Sequence, residues 1–446
     1  MIRSDTIVAS ATAPGRGAIS IIRLSGPQST EIATKLSGKS LKPRIATFGS
    51  ITSNDEIIDT GIWIYFVAPH SFTGEDTVEF QGHGGPVVIQ TILRLMTELG
   101  ARLAEPGEFS QRAFLNGKID LTQAEAISDL INASSVSAVK AANNSLRGQF
   151  ADEVNKIVTD LINLRTQIEA HIDFPDEDIE PRSIEAFSST ISQIKSDLDT
   201  LIASANEGAK LNRSAEIVLI GEPNAGKSSL LNALAKEPLA IVTDIPGTTR
   251  DLIRHDLLID GLEIRITDTA GIRSTDDVIE NEGITRAINA IQTADLVLCL
   301  FDERHQTISE DTVLNLVGNT ETTIGLLRTK IDIQIAPIQN QTHYPLLEIS
   351  AKTGLGLTEF RNWLLEKLSL TTHLETPFLA RQRHLEHLKN AKACIEATTH
   401  HHLAIETIDL IAEDLRLTQN ALSEITGTFT SDDLLTSIFS TFCIGK

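Results

Sequence analysis

The chain has few cysteines and few basic residues for its length, and it lacks long apolar runs. Its three cysteines, Cys299, Cys394 and Cys443, lack the spacing of metal ligands, and so few thiols are typical of a reducing compartment. No signal peptide is recognisable, and no apolar run approaches the ~18–20 residues of a membrane span. These absences predict a cytoplasmic protein that does not enter a membrane.

Positive charge is scarce as well, since the chain has 38 basic and 60 acidic residues and a formal net charge of −22. Residues 1–118 carry equal numbers of basic and acidic side chains, so the acidic excess lies beyond them. An acidic protein repels polyphosphate at long range. If RNA is the substrate, a local basic patch or a partner must hold it.

The periodicity of apolar residues divides the chain into four segments. Residues 1–118 alternate short strand-like runs with turn residues, residues 119–210 and 372–446 show helical periodicity, and residues 214–368 alternate strands with helices. The predicted fold class is α/β and α multidomain. It comprises an N-terminal α+β domain and a helical domain into which a nucleotide domain is inserted. Two separate helical domains are the alternative.

A phosphate-binding loop is the most specific motif. Residues 221–228 fit G-x-x-x-x-G-K-[ST], follow the apolar run 217–220 and precede a predicted helix. Glycines in such a loop let backbone N–H groups point at phosphate oxygens, and the helix adds its positive end. Lys227 is expected to reach the β- and γ-phosphates and Ser228 to ligate Mg²⁺.

Three further motifs follow predicted strands in the order of a guanine-nucleotide site. Asp268-Thr269-Ala270-Gly271 is expected to hold Mg²⁺ through water and to sense the γ-phosphate, and Ser350-Ala351-Lys352 to contact the base oxygen. In Thr329-Lys330-Ile331-Asp332, the carboxylate of Asp332 can accept from N1–H and the amino group of guanine, a donor pair that adenine lacks. The motif usually begins with Asn, so Thr329 predicts a preserved GTP preference with lower affinity.

The hydrolytic residues are less obvious, because Ile272 follows the D-x-x-G motif where Ras-type enzymes have a Gln that orients water. No arginine finger is recognisable either. Another group must therefore position water and offset the developing charge.

The whole chain resembles the bacterial tRNA-modification GTPases of the MnmE (TrmE) family. The matching motifs are Ala-Pro-Gly-Arg-Gly at 13–17, Ser-Phe-Thr-Gly-Glu-Asp at 71–76, Gln-Gly-His-Gly-Gly at 81–85, Gly-Thr-Thr-Arg-Asp at 247–251 and Phe-Cys-Ile-Gly-Lys at 442–446. The resemblance implies 5-carboxymethylaminomethyl modification of wobble uridine, a folate-binding N-terminal domain and an inserted Ras-like P-loop GTPase domain. It also implies a homodimer that forms a heterotetramer with the FAD-dependent MnmG-type protein and acts on tRNA.

The resemblance also assigns residues around GTP. It implies that K⁺ replaces the arginine finger, bound by Asn224, by backbone oxygens of Thr243 and Ile245 and near Thr248, while Thr249 completes the Mg²⁺ shell begun by Ser228. Glu280 matches the water-orienting glutamate, with Glu282 as the alternative. The residues predicted to contact GTP are Asn224, Ala225, Gly226, Lys227, Ser228, Ser229, Thr243, Asp244, Ile245, Pro246, Gly247, Thr248, Thr249, Asp268, Thr269, Ala270, Gly271, Thr329, Lys330, Asp332, Ser350, Ala351 and Lys352.

For the modification chemistry, the resemblance implies a 5-formyl- or methylene-tetrahydrofolate cofactor contacted by Arg23, Glu79, Lys118 and Lys446. Cys443 is either a reactive thiol at the reaction centre or a small apolar residue of the C-terminal segment. Histidines 400–402, His384 and His387 lie close together in sequence, but adjacent histidines on a helix point to different faces, which predicts a surface cluster and not a metal site.

Three function classes remain open from the sequence. The first is a tRNA-modifying GTPase that uses a folate one-carbon unit. The second is a ribosome-assembly or regulatory GTPase, because the 247–251 motif is shared with such proteins. The third is a folate-dependent aminomethyltransferase regulated by GTP. The folate-like N-terminal segment and the Cys-Ile-Gly-Lys terminus favour the first.

Overall fold

The fold is taken from a computed structural model of the chain. It describes residues 5–53, 56–133, 135–173, 181–211, 215–235, 253–259, 262–268, 289–302, 307–318, 322–333, 339–368, 377–398, 407–427, 438, 442 and 445. These residues form two compact units. Unit 1 contains residues 1–132, 142–203 and 382–446, and unit 2 contains residues 133–141 and 204–381.

Unit 1 begins with a six-stranded sheet. Its strands are β1 (Ile7–Ser10), β2 (Gly17–Ser25), β3 (Thr47–Ser53), β4 (Glu56–Phe66), β5 (Thr77–Gly84) and β6 (Arg102–Leu103). The spatial order is β3-β4-β5-β2-β1-β6, and every neighbouring pair is antiparallel except β1 and β6. One face carries the domain core, in which the rings of Trp63 and Phe80 pack 4.7 Å apart. The predicted strands of the α+β domain are confirmed.

Outside residues 212–381, the described helices are α1 (Ser29–Ser37), α2 (Pro86–Glu98), α3 (Glu108–Leu115), α4 (Leu121–Asn132), α5 (Val136–Leu146), α6 (Gln149–Asp173), α7 (Pro181–Leu211), α11 (Gln382–Ala397) and α12 (Ile408–Thr426). Residues 136–141 of α5 and 204–211 of α7 belong to unit 2. Val154, Ile157 and Leu161 form a buried stripe on α6, as helical spacing requires. In α4 the buried residues cluster in the first half of the helix, and Ile131 near its end is exposed. The buried residues are Leu121, Thr122, Ala124, Glu125 and Ala126.

The two helical stretches pack against each other within unit 1. Arg165 on α6 donates from Nη1 to Gln419 Oε1 on α12 at 2.5 Å. Arg383 on α11 forms two 2.8 Å hydrogen bonds with the carboxylate of Glu125 on α4. These contacts join residues more than 250 positions apart, so the alternative of two separate helical domains is wrong.

The histidine cluster is also not the surface feature that the sequence predicts. His384 is buried, with Nε2 2.8 Å from Glu125 Oε2 and its ring 5.0 Å from that of Phe150. His387 is half-buried beside Glu424, and residues 400–402 lie outside the described part of the chain. The prediction failed for His384 because its partner, Glu125, is remote in sequence.

Unit 2 contains a second six-stranded sheet. Its strands are β7 (Ala215–Gly221), β8 (Ile253–Ile259), β9 (Leu262–Asp268), β10 (Leu296–Phe301), β12 (Thr323–Arg328) and β14 (Leu346–Glu348), and the short pair β11 (Thr307–Ile308) and β13 (Gln339–Asn340) is separate. The order is β14-β12-β10-β7-β9-β8, and only β8 runs antiparallel to its neighbour. The helices are α8 (Lys227–Ala235), α9 (Glu310–Val317) and α10 (Leu357–Lys367).

Both faces of this sheet are buried. Ile217 and Leu219 on β7 belong to one apolar cluster, whereas Val218 and Ile220 belong to the other. Cys299 on β10 is fully buried in the second cluster, where it packs as a small apolar residue. Among the described helices, none is long and apolar enough to cross a membrane.

Candidate functional site

The predicted nucleotide motifs meet at one edge of the sheet of unit 2. Strands β7, β9, β10, β12 and β14 are parallel, so their carboxyl ends lie together. The phosphate-binding loop, Asp302, Thr329 and Ser350 follow these ends, and Asp268 is the last residue of β9. Ligands of open α/β sheets bind at this edge, so the topology brings these motif residues to a place where a nucleotide can bind.

The phosphate-binding loop has the backbone that its function requires. Asn224 and Gly226 adopt positive φ angles of 68° and 94°, and the N–H of Ala225 donates to Glu222 O at 3.1 Å. Lys227 begins α8, is buried, and donates from Nζ to Gly221 O at 2.7 Å. The lysine is therefore held across the loop, where it can also meet phosphate oxygens.

The first turn of α8 and the tip of the loop offer oxygen ligands. Ser228 and Ser229 are exposed on the turn where helix N–H groups favour anions, and Asn224 is exposed at the tip of the loop. Hydroxyl and amide oxygens suit hard cations such as Mg²⁺ and K⁺. Across the described ranges, no group of three His, Cys, Asp or Glu side chains could hold a metal by itself.

A pocket of about 250 Å³ adjoins the loop. Its lining residues are Gly226, Ser229, Thr329, Lys330, Asp332, Ile333, Ile349, Ala351 and Lys352. All but two of them, Ile333 and Ile349, were predicted from sequence to contact GTP. The pocket brings a polar set of residues together with apolar ones, as a site for a planar base requires.

Asp332 is oriented by a contact that the sequence analysis missed. The hydroxyl of Ser350 donates to Asp332 Oδ1 at 2.7 Å, and this hydrogen bond holds the pKa of the carboxyl below its ordinary value. The nearby positive charge of Lys352 acts in the same direction. The sequence predicts that the backbone of the Ser-Ala-Lys motif contacts the base oxygen. In the structure, the Ser350 side chain also orients the ionised carboxylate of Asp332.

Thr329 forms the hydrogen bond to the loop that its residue type allows. It is 3 % exposed, and its Oγ1 donates to Ala225 O at 2.6 Å, with Phe301 O a second oxygen at 3.3 Å. Lys330, which has a positive φ of 59°, directs Nζ to Asp302 Oδ2 at 3.4 Å. The threonine thus connects β12 to the phosphate-binding loop.

Several predicted site residues cannot be located. The backbone of Asp268 ends β9 beside Leu219 and Ile253. The remaining ones lie outside the described residues: Thr243, Asp244, Ile245, Pro246, Gly247, Thr248, Thr249, Thr269, Ala270, Gly271, Glu280, Glu282, Cys443 and Lys446.

A second cluster of predicted residues lies on the sheet of unit 1. Arg23 on β2 and Glu79 on β5 are paired in the sheet register, and Arg23 Nη2 lies 2.8 Å from Glu79 Oε1. The guanidinium group also lies 5.5 Å from the ring centroid of Phe72 and 5.7 Å from that of Phe109. The two aromatic residues were not predicted, although Phe72 belongs to the Ser-Phe-Thr-Gly-Glu-Asp motif.

The loop at 71–76 holds this cluster in place. Asp76 accepts from the Tyr65 hydroxyl at 2.8 Å, and Glu75 accepts from Ser25 Oγ at 2.7 Å. Burial and the neighbouring Asp76 raise the pKa of Tyr65 to about 12. Lys118 is exposed and packs against Gly74, where an added Cβ would lie 3.2 Å from Lys118 Cγ. Lys118 is therefore next to the loop that carries Phe72.

The C-terminal segment returns to the same unit. Ile438 and Phe442 are buried in a cluster with Leu121 and Ala124 of α4. Gly445 has a φ of 98°, and a Cβ added there would overlap the carbonyl oxygen of Ser10. Ser10 is the last residue of β1 and is adjacent to Ala9, which pairs with Arg23. Gly445 thus lies at the end of β1, the strand that pairs with the strand β2 that carries Arg23.

Comparisons with known proteins agree over the whole length. A family described as the MnmE helical domain matches residues 121–443, and one described as the GTP-binding protein TrmE N-terminus matches residues 6–118. A Coxiella burnetii (strain RSA 493) protein named tRNA modification GTPase MnmE is 46% identical, with 99% of each chain covered. A protein of the same name from Proteus mirabilis is 45% identical, with 100% of each chain covered.

Solved structures match a part of the chain. The G domain of the T. maritima FeoB iron transporter is 23% identical, with 35% of this chain and 99% of that chain covered, at a TM-score of 0.24.

Proposed function

Since the chain belongs to the MnmE family of tRNA modification GTPases, we propose that it supports addition of a carboxymethylaminomethyl group at C5 of wobble uridine. The activity of the family is GTP hydrolysis in tRNA modification, and the fold is that of its N-terminal, helical and Ras-like P-loop GTPase domains. The added carbon would come from a tetrahydrofolate one-carbon unit. An FAD-dependent protein of the MnmG type would act with the chain in the cytoplasm.

The observation that carries the nucleotide assignment is the pocket of unit 2. It joins an ionised acceptor, Asp332, to the phosphate-binding loop through Thr329. Guanine offers N1–H and an amino group to such an acceptor, and adenine offers an acceptor at N1 instead. The pocket therefore supports GTP over ATP.

For hydrolysis we propose that Ser228 and Thr249 bind Mg²⁺, which would offset charge on the phosphates. Asn224 would bind K⁺ with the backbone oxygens of Thr243 and Ile245 and a contact near Thr248. The exposed side chain of Asn224 at the tip of the loop supports this role. K⁺ would supply the positive charge that an arginine finger supplies elsewhere.

Glu280 would orient the attacking water, with Glu282 as the alternative. Hydrolysis should then be fast in K⁺ and slow in Na⁺. Asn224→Ala should abolish this difference and leave GTP binding largely intact, and equal wild-type rates in the two salts would refute the K⁺ site.

The cluster around Arg23 supports the folate assignment. A guanidinium group between two aromatic rings and beside Glu79 offers charge, hydrogen bonds and a flat apolar surface. A pterin ring with a glutamate tail needs these same groups. Lys118, which lies beside the loop that carries Phe72, would contact the ligand, as would Lys446. The close packing of Gly445 against Ser10 supports a position of Cys443 near this region.

The outer face of the same sheet supports a homodimer. Phe48 on β3 faces Ile62 on β4 across the strand pair, and their side chains are 67 % and 39 % exposed. Ile19 on β2 is 67 % exposed. Apolar side chains this exposed are typical of a surface covered by another copy of the chain. Light scattering should give a dimer for the wild type and a monomer for Phe48→Asp.

We propose that tRNA binding requires a basic surface from a partner protein, because the chain carries a net charge of −22 and repels the phosphates of RNA. The MnmG-type partner, in a heterotetramer, would provide the basic surface. At low ionic strength, the chain alone should bind tRNA much more weakly than the complex does.

Mass spectrometry of tRNA nucleosides from cells that lack this chain tests the proposal. We expect unmodified wobble uridine, restored by the wild-type chain. Normal wobble uridine with accumulated ribosomal RNA precursors would instead support a ribosome-assembly GTPase. Modification that continues with folate turnover but without GTP would support an aminomethyltransferase regulated by GTP.

A further inference from the structure

The guanine motif of this chain begins with a threonine whose hydrogen-bonding capacity can be counted. Thr329 lines the base pocket, and its side chain is almost completely buried. The two oxygens closest to Oγ1, Ala225 O at 2.6 Å and Phe301 O at 3.3 Å, are both carbonyl acceptors. A hydroxyl has one proton to donate, and the shorter distance assigns it to Ala225. Thr329 therefore has only lone pairs left to offer a ligand.

The side chain is also held in that orientation by its neighbours. A Cβ added at Gly226 would lie 3.2 Å from Thr329 Oγ1 and 3.3 Å from its Cβ, so the loop packs directly against the threonine. The N–H of Thr329 donates to Phe301 O at 2.8 Å and fixes the backbone from which the side chain projects. Rotation of the hydroxyl toward a base would leave the Ala225 carbonyl without this donor.

Guanine presents two different edges to such a pocket. Its Watson–Crick edge carries the N1–H and amino donors, whereas N7 and O6 on the other edge are both acceptors. An acceptor such as N7 can bond only with a donor. Asparagine at this position has two amide protons, and one could go to Ala225 O while the other went to N7. Threonine cannot make both bonds.

Two other hydrogen-bond donors of the guanine motifs, Lys330 and Ser350, each contact a carboxylate of the protein. The Nζ of Lys330 lies 3.4 Å from Asp302 Oδ2, on a carboxylate that is 1 % exposed. Ser350 donates its hydroxyl proton to Asp332. Of these motif residues, Thr329 is the one whose residue type changes the number of donors available to N7.

We propose that this pocket recognises guanine without a hydrogen bond to N7, with Asp332 reading the Watson–Crick edge and Thr329 serving only to hold the phosphate-binding loop. The inference rests on the proposed assignment of the pocket to guanine nucleotides. It predicts a ligand class wider than GTP, namely guanine nucleotides in which N7 is replaced by C–H.

Calorimetric titration of the full-length chain with GTP, 7-deaza-GTP and ATP tests the inference. Wild-type affinities for GTP and 7-deaza-GTP should agree within about twofold, because no hydrogen bond is lost. Thr329→Asn should prefer GTP over 7-deaza-GTP by about fivefold, the scale of one neutral hydrogen bond. Thr329→Ser is the matched control, since it keeps the hydroxyl and should show no preference.

A wild-type preference for GTP over 7-deaza-GTP of fivefold or more would overturn the inference, while leaving the guanine assignment intact if ATP still binds poorly. Equal binding of ATP and GTP would overturn the proposed function itself. If Thr329→Asn folds and gains no preference, residue 329 does not face N7 and the inference fails. If that variant does not fold, the wild-type and Thr329→Ser ratios still decide.

Discussion

At the scale of single residues, the proposed choice of nucleotide depends on Asp332. Its carboxyl is ionised and held by Ser350, so it can accept both guanine donors without rearrangement. Guanine specificity therefore depends on one carboxylate and on the hydroxyl that orients it.

Asp332→Asn should weaken GTP binding by about 10- to 100-fold, because a charged acceptor becomes an amide that presents a donor to guanine donors. Binding of xanthosine triphosphate should improve, since xanthine carries an acceptor in place of the amino group. The measurement is calorimetric titration with both nucleotides. Ser350→Ala is the control and should cause a smaller loss without gain of xanthosine binding.

The reactivity of the Cys299 thiol reports on the packing of the core of unit 2. Burial raises the pKa of its thiol to about 12, and its side chain is inaccessible. At pH 8 the native thiol should react with iodoacetamide at least about 100-fold more slowly than in the unfolded chain, because the thiolate is the reactive form. Mass spectrometry of alkylated peptides measures this. Comparable labelling of Cys299 and the half-buried Cys394 in the native protein would contradict the packing of β10.

At the scale of secondary-structure elements, local motifs were predictable and remote pairings were not. The phosphate-binding loop, β7 and α8 are adjacent in sequence, so their spacing alone predicts them. The contact of Ser350 with Asp332 depends on how β12 and β14 align, and burial of His384 depends on Glu125, which lies on α4. Ile131 shows the same limit, because helical spacing predicts a helix but not which face another element covers.

The C-terminal segment gives a prediction at this scale. Gly445→Ala should displace the segment from β1, because the new Cβ would overlap Ser10 O and strain a backbone with positive φ. GTP hydrolysis should stay within about twofold of the wild type, and wobble-uridine modification should fall by about tenfold or more. Both are measured on the same variant, by phosphate release and nucleoside mass spectrometry.

Gly38→Ala is the control for that variant. Gly38 also has a positive φ, of 64°, but an added Cβ would meet nothing within 4 Å. Normal modification by Gly445→Ala, or equal losses in the two variants, would show that the seat of the C-terminal segment has no special role.

The buried group on α4 gives a second prediction. Glu125 is 2 % exposed and bonds with Arg383 and His384, whose charges and hydrogen bonds outweigh burial and hold its carboxyl pKa well below the ordinary value. Glu125→Gln should destabilise unit 1 by about 3–5 kcal/mol, because it leaves Arg383 without its buried partner. Guanidinium titration in a Trp363→Phe background, with Trp63 as the reporter, measures this loss.

The pH dependence follows from the lowered pKa. The stabilising contribution of the Glu125 carboxylate is fully present above the pKa of glutamate in the unfolded chain, about 4.3, and is lost as pH falls through the folded value. Stability of the wild type should therefore decrease below about pH 4 more steeply than that of Glu125→Gln. Glu413→Gln, at an exposed pair with Arg416, should change neither the midpoint nor the slope.

At the scale of the whole molecule, one chain combines the proposed nucleotide site in unit 2 with the proposed folate site in unit 1. The sequence predicted the fold class, because motif order and periodicity specify each part. It could not show that residues on both sides of unit 2 in sequence share one helical core, since that core depends on contacts such as Glu125 with Arg383. We propose that nucleotide hydrolysis in unit 2 drives tRNA modification.

The most direct test uses the altered nucleotide preference of Asp332→Asn in a reconstituted reaction with the MnmG-type partner, tRNA and folate. Wobble-uridine modification is measured by nucleoside mass spectrometry with GTP, with xanthosine triphosphate and without nucleotide. We expect the wild type to modify tRNA only with GTP, and Asp332→Asn to do so with xanthosine triphosphate at nucleotide concentrations too low to overcome its weakened GTP binding. Modification by Asp332→Asn at the wild-type rate without a nucleotide would contradict it.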